Sequence, residues 1–271
     1  MEVHHHSHSA ADPDPSTLRQ TQGAEHRGRK KWTHYFWEFL MLFLAVFCGF
    51  LAENQREHYV ENQREKQFMK TLLQDLKNDT VNFNMTIRTF QNLISRFDSL
   101  KSSVKNPVNP QAILNSYKAS TLVWNFSSFN YSDRTIEQLR NAGNFRLIRI
   151  PVVSDSLIEY DKYIRNLYID IENIIIRQHL GLADMQNEIF DYDIYSYLHR
   201  KGNWEVLQTV TIDSIPFPLK LVTDNKDKLI LYYNSLGRCR VWWQRYTNHS
   251  EYLRNFATSL MVLIKKEYHL K

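Results

Sequence analysis

Histidines open the chain. His4, His5, His6 and His8 stand in the run HHHSH, and neighbouring imidazoles on a short stretch can converge on Zn, Ni or Cu. Nothing nearby supplies the outer partners that orient a dedicated metal site, so the competing reading is a solvated tract that takes up metal adventitiously. A second grouping sets Asp191 and Asp193 among Tyr192, Tyr195 and Tyr197. Carboxylates beside rings could bind a cation or a sugar, or could simply end a helix in water. The turn holding Asn141, Gly143, Asn144, Arg146 and Arg149 presents amides and guanidinium groups to a partner or an anion, although Gly143 is equally a helix terminator. Arg238, Arg240 and Arg245 with Trp242 and Trp243 form the last grouping, either a partner contact or ring packing with the arginine heads in water.

None of these is a complete catalytic set. The chain carries no nucleophile elbow, phosphate loop, dinucleotide fingerprint, Cys/His zinc spacing or EF-hand loop. Its acidic pairs lack the Glu-x-x-His spacing of a di-metal bundle. Glycine and proline number seven each, too few for glycine-rich phosphate loops or a many-turned β-sandwich. The two cysteines, Cys48 and Cys239, make no disulfide framework. The expectation is a protein that is not an enzyme and uses no cofactor.

Elements must hold these residues in place, and long helices suit a chain so poor in turn formers. Residues 35–52, YFWEFLMLFLAVFCGFLA, contain one charge, Glu38, and at helical rise cover about 27 Å, near the hydrocarbon thickness of a bilayer. No polar face interrupts residues 39–51, and Trp32, Tyr35 and Trp37 cluster at one end as an interfacial belt would. Bulky Phe47 and Phe50 stand where a signal peptidase wants small residues, which favours a retained anchor.

Beyond the anchor run three stripes with alternating spacings of three and four. The first passes through Met69, Leu73, Leu76, Thr80, Phe83, Ile87, Phe90, Ile94, Phe97, Lys101 and Val104 and stops before NPVNP. The second follows Pro151 and passes through Leu157, Tyr160, Ile164, Leu167, Ile171, Ile174, Gln178, Leu182, Met185, Ile189 and Tyr192, with Gly202 as its stop. The third passes through Leu229, Tyr232, Leu236, Cys239, Trp243, Tyr246, Ser250, Leu253, Ala257, Leu260 and Ile264.

The reading is therefore all-α. A tail (1–31) precedes a membrane helix (32–52), which continues into an antiparallel bundle (53–271) with helices over 53–105, 111–121, 132–142, 153–200 and 225–269. The two short ones make a broken fourth helix, with Ser132 as N-cap and Gly143 as C-cap. Two prolines and β-branched alternation over 203–224 suggest an extended loop or small hairpin.

The segments HYFWEFLMLFLAVFCGFLAENQREH, REKQFMKTLLQDLKNDT and DRTIEQLRNAGNFRLIRIPVVSDSLIEYD, with the closing LIKKEYHL, resemble an uncharacterised family of bacterial single-pass membrane proteins with His-rich amino-terminal tails. The resemblance covers most of the chain. It implies an inner-membrane protein with a helical extracytoplasmic region, and it brings no catalytic or ligand-binding residue. Arg27, Arg29, Lys30 and Lys31 before the span place the N-terminus in the cytoplasm and the remainder in the periplasm. From Lys220 onward ten Lys or Arg face four Asp or Glu; across a membrane from the chromosome, acidic lipid or envelope polymer is more reachable than nucleic acid. The partners expected are the bilayer and either a second copy or another envelope protein. The function expected is scaffolding or interaction, with a small-molecule-sensing helical domain as the alternative.

Overall fold

The computed structural model describes residues 30–122, 129–141 and 143–270. Helix α1 is Lys30–Lys105, α2 Pro110–Leu122, α3 Arg134–Asn141, α4 Pro151–Asn166, α5 Asn173–Ile189, α6 Tyr192–His199, α7 Trp204–Thr209 and α8 Lys226–Tyr268. A π-turn, Leu167–Glu172, joins α4 to α5, and short 3-10 turns occupy Asn144–Leu147 and Ile212–Ser214. No strand forms among the described residues. One isolated antiparallel bridge pairs Phe190 with Leu221.

The chain divides into two compact units, residues 1–59 and 60–271. In the first, α1 is apolar and long enough to cross a membrane. Its large side chains, Trp37, Met41, Leu42, Phe43 and Phe50 among them, are exposed on all sides. Phe39, Phe43 and Phe47 stack one turn apart, with ring centroids 6.3 and 5.9 Å from each other.

The second unit is a bundle of α1, α8 and the α4–α5 pair. Helix α8 runs antiparallel to α1: Glu65 meets Tyr268, Asn84 meets Arg254, and Asp98 meets Arg240. It is also antiparallel to α4 and α5, where Tyr160 packs on Phe256, His179 on Trp243, and Gln186 on Tyr232. Apolar burial drives this arrangement, at about 1.5–3 kcal/mol for each large aliphatic or aromatic side chain enclosed.

The third stripe matches its expectation closely: every position of it from Tyr232 to Ile264 is buried. In the first, the positions seven apart (Met69, Leu76, Phe83, Phe90, Phe97, Val104) are buried, as are Ile87 and Ile94 between them, but the other three shift. Leu72, Asp79 and Leu100 are enclosed in place of Leu73, Thr80 and Lys101. Helix α1 packs against α3 and α4 as well as α8, and its covered face turns toward these extra neighbours.

The second stripe is a correction. Beyond Leu167 the buried positions are Glu172, Ile175, His179, Leu182, Gln186 and Ile189, one residue later than the spacing predicts at most places. The π-turn holds one extra residue, which rotates everything after it by about 100° relative to an unbroken α-helix. The expected helix over 153–200 is also interrupted at Phe190 and Asp191, both extended, so Tyr192 is 77% exposed instead of buried.

Two smaller expectations change as well. Ser132 precedes α3 without capping it. The carboxylate of Asp75 on α1 takes the Thr135 N–H, at 3.1 Å, in the first turn of α3. Gly143 does adopt the left-handed conformation, at φ 62°, that a helix terminator needs. Nor is there a hairpin over 203–224. Asn203 caps α7 by accepting the Val206 N–H, and Leu207, Val210 and Ile215 bury as separate anchors.

Candidate functional site

The interruption between α5 and α6 builds a groove of about 710 Å³. Its making is local. Helix α5 stops at Ile189, Phe190 extends to bridge Leu221, and the Asp191 carboxylate starts α6 by accepting the N–H groups of Asp193 and Ile194 at 3.0 and 3.4 Å. The Phe190 ring wedges against Tyr117 and Tyr232, with centroids 4.9 and 5.4 Å away. The Tyr117 hydroxyl accepts the Asp191 N–H and donates to the Lys220 carbonyl, each at 2.8 Å. Val222 N–H donates to Ile189 O. The kink is thus pinned from α2, α8 and the 215–225 loop, and the side chains around it are held before any ligand arrives.

Tyr192 and Tyr195 stand on the walls, and His199 lies nearly parallel to Tyr195, with an interplanar angle of 12° and centroids 5.7 Å apart. Asn187 is exposed at the edge. Gln186 lines the floor, its amide donating to the Ser120 carbonyl and the Tyr232 hydroxyl. Of the grouping read from the sequence, Asp191, Tyr192 and Tyr195 converge here. Tyr197 turns away to donate to Ser214 O, and Asp193 is exposed. Among the described residues no three His, Cys, Asp or Glu side chains are placed to hold a metal ion.

A second polar cluster lies inside the bundle, where sequence reading expected apolar packing. Asp79, 1% exposed, accepts the Ser132 N–H and the Tyr160 hydroxyl, both at 2.8 Å. Burial pushes its carboxyl up to about 6 against the pull of those two hydrogen bonds. One turn away Asp75 accepts from the Thr135 N–H, the Thr135 hydroxyl and Arg134. Asp161 gathers Tyr131, Arg140 and Arg165. Glu172, in the π-turn, accepts from the Tyr246 hydroxyl at 2.5 Å, while Tyr168 donates to the Phe129 carbonyl. His179 accepts from the Trp243 indole at 3.2 Å and is driven down to about 4 by burial, so it is neutral. Enclosed as they are, Asp79, Tyr160 and His179 position helices and are shielded from any substrate. The sequence carries little signal for them, because their partners lie 53 to 81 residues away.

The remaining candidates do not form one site. Asn141 donates to Glu137, and Asn144 borders a shallow depression with Asn141 and Phe68. Arg149 pairs with Glu61 through its guanidinium and with Glu65 through its N–H, while Arg146 is exposed. Arg240 forms a two-pronged pair with Asp98, at 2.9 and 2.6 Å. Arg238 and Arg245 are exposed, and Arg245 lies 4.6 Å over the Trp242 ring. Trp243 packs in the core. His4, His5, His6 and His8 lie outside the described residues.

Compared with known proteins, the chain matches no family model, no curated protein and no solved structure.

Proposed function

We propose that this is a bacterial inner-membrane protein, anchored once with its N-terminus in the cytoplasm, whose periplasmic helical bundle binds another envelope protein and catalyses no reaction. The observation that carries the reading is the stretch around Trp37, Phe43 and Phe50, apolar on every side and uncovered by protein. The resemblance noted above and the Lys/Arg cluster before the span support the orientation. A different protein is favoured over a second copy because the heptad stripes already meet one another within one chain, and their apolar surface is no longer on offer for self-association. The exposed Arg238 and Arg245, with the half-buried Trp242 beneath Arg245, are the contact surface of choice on α8, since Arg and Trp are enriched where interfaces form.

Two experiments on the full chain in intact bacteria test this. Protease added to spheroplasts should digest the bundle while leaving the tail, and a protected bundle would overturn the orientation. Crosslinking followed by mass spectrometry should join α8 to one other envelope protein; crosslinks confined to this chain would overturn the partner. A second reading, a ligand-sensing domain, is favoured by the groove at the α5–α6 break.

A further inference from the structure

We infer that the groove at the α5–α6 break is a binding site for a neutral pyranose sugar. The inference rests on the second reading above and names the ligand class.

Four observations converge on it. The first is shape and size, since about 710 Å³ lies in the range of small-molecule sites. The second is the arrangement of the rings. Tyr195 and His199 stack on one another, within 12° of parallel, and Tyr192 is exposed beside them. A pyranose has a face of C–H groups that carry partial positive charge, which suits the negative face of an exposed aromatic ring such as Tyr192. A quaternary cation is better served by rings that converge around it.

The third observation is charge. Among the described residues no Lys or Arg lines the groove, so an anion finds no counter-charge from them. Asp191 is the one carboxylate among the described lining residues, and it already accepts two N–H donors at the positive end of α6. Both donors go to Oδ1, and a sugar hydroxyl can donate to the other oxygen without disturbing them. The fourth is the polar complement. Asn187, Asp191 and the Tyr192 hydroxyl provide both donors and acceptors, which is what sugar hydroxyls require. The Tyr117 clamp and the Gln186 tie to Tyr232 hold this set in place. The organisation of the site thus does not wait on binding.

The test uses the full chain in lipid nanodiscs, free of sugar-headed detergent, with ligand-observed saturation-transfer NMR. The probes are methyl β-glucoside, methyl β-galactoside, N-acetylglucosamine, tetramethylammonium and inorganic phosphate. The expected result is transfer to the ring C–H protons of at least one pyranose. Tyr192→Ala and Asn187→Ala should each weaken binding by fivefold or more with little change in thermal unfolding, as both side chains are exposed. Tyr252→Ala, in a separate aromatic depression with Tyr163 and His249, should leave it unchanged. If tetramethylammonium or phosphate binds in the groove and no pyranose does, the sugar assignment is overturned while the ligand-sensing reading survives. If no probe binds, or if pyranose binding is indifferent to both groove substitutions, the site itself is overturned.

Discussion

Helix α8 and the α4–α5 pair face each other along the bundle and carry the same kind of apolar stripe, yet only one of them is unbroken. Helix α8 runs 43 residues in one phase, with bulky Trp243 and Tyr246 at its centre. The opposite wall absorbs an extra residue at Leu167–Glu172 and then breaks at Phe190. The irregular wall carries the features with chemical character: Glu172, the neutral His179, Gln186 and the aromatic groove. A regular helix serves as a straight edge, and departures from regularity on its partner turn polar side chains inward and open a concavity. π-turns recur at functional sites for that reason.

Deletions put the comparison to its strongest test. Removing exposed Val241 from α8 rotates every later buried residue, Tyr246 and Leu253 included, by about 100°, and should cost more than about 4 kcal/mol or abolish folding. Removing exposed Ile169 from the π-turn has a different consequence. It takes away the extra residue and leaves Ile175, His179 and Leu182 on the same face, so the loss should stay below about 2 kcal/mol. Denaturant unfolding of the two deletion variants, followed by circular dichroism, measures the difference; equal damage would mean that the π-turn has no such role.

Titration sharpens the contrast, since one buried ionisable group lies on α1 and another on α5. Asp79 has its folded pKa raised from 3.8 to about 6, so the fold favours its protonated form. Its contribution to stability is full below about pH 4 and is lost as pH rises through 6, on the order of 2–3 kcal/mol. For His179 the folded pKa is lowered from 6.5 to about 4, so its contribution is full above about pH 6.5 and is lost, by a similar amount, as pH falls toward 4. The two slopes oppose one another between pH 4 and 6. Thermal unfolding across that window should show Asp79→Asn losing more stability than the parent chain on acidification, whereas His179→Gln should lose more as pH rises. Parallel profiles for the two variants would refute the assignment.

The smallest effect belongs to the pair that ties α8 to α1. Arg240 and Asp98 are partly exposed, and replacing Arg240 with Ala should cost about 0.5–1 kcal/mol, less at high salt. A double-mutant cycle with Asp98→Ala reads the coupling directly.

Much of this architecture is legible in the amino-acid order. The apolar stretch over 35–52, the stop at NPVNP, Gly143 as a terminator and the α8 stripe all follow from local rules, because each depends on neighbours within a turn or two. Helix α2 begins where Asn109 accepts the Ala112 N–H ahead of Pro110, a signal those local rules also carry. The grouping of Asp191 with Tyr192 and Tyr195 is visible too, although the same residues read more readily as a solvated helix end. Its enclosure was not visible, because the walls come from Phe190, His199 and Val222, brought together by a bridge from one loop and a hydroxyl from another helix.

What tertiary structure alone decided is the phase of each helix. A three-and-four spacing tolerates a one-residue shift without looking different on paper, so Asp79 could trade places with Thr80, and His179 with Gln178. The choice fell to long-range partners: Ser132 and Tyr160 for the aspartate, Trp243 for the histidine. Periodicity determines that a helix has a buried side, since that depends on side chains a turn apart. Which side it is depends on what packs against it, and hydrogen-bonding groups many residues distant settle that when the bundle closes.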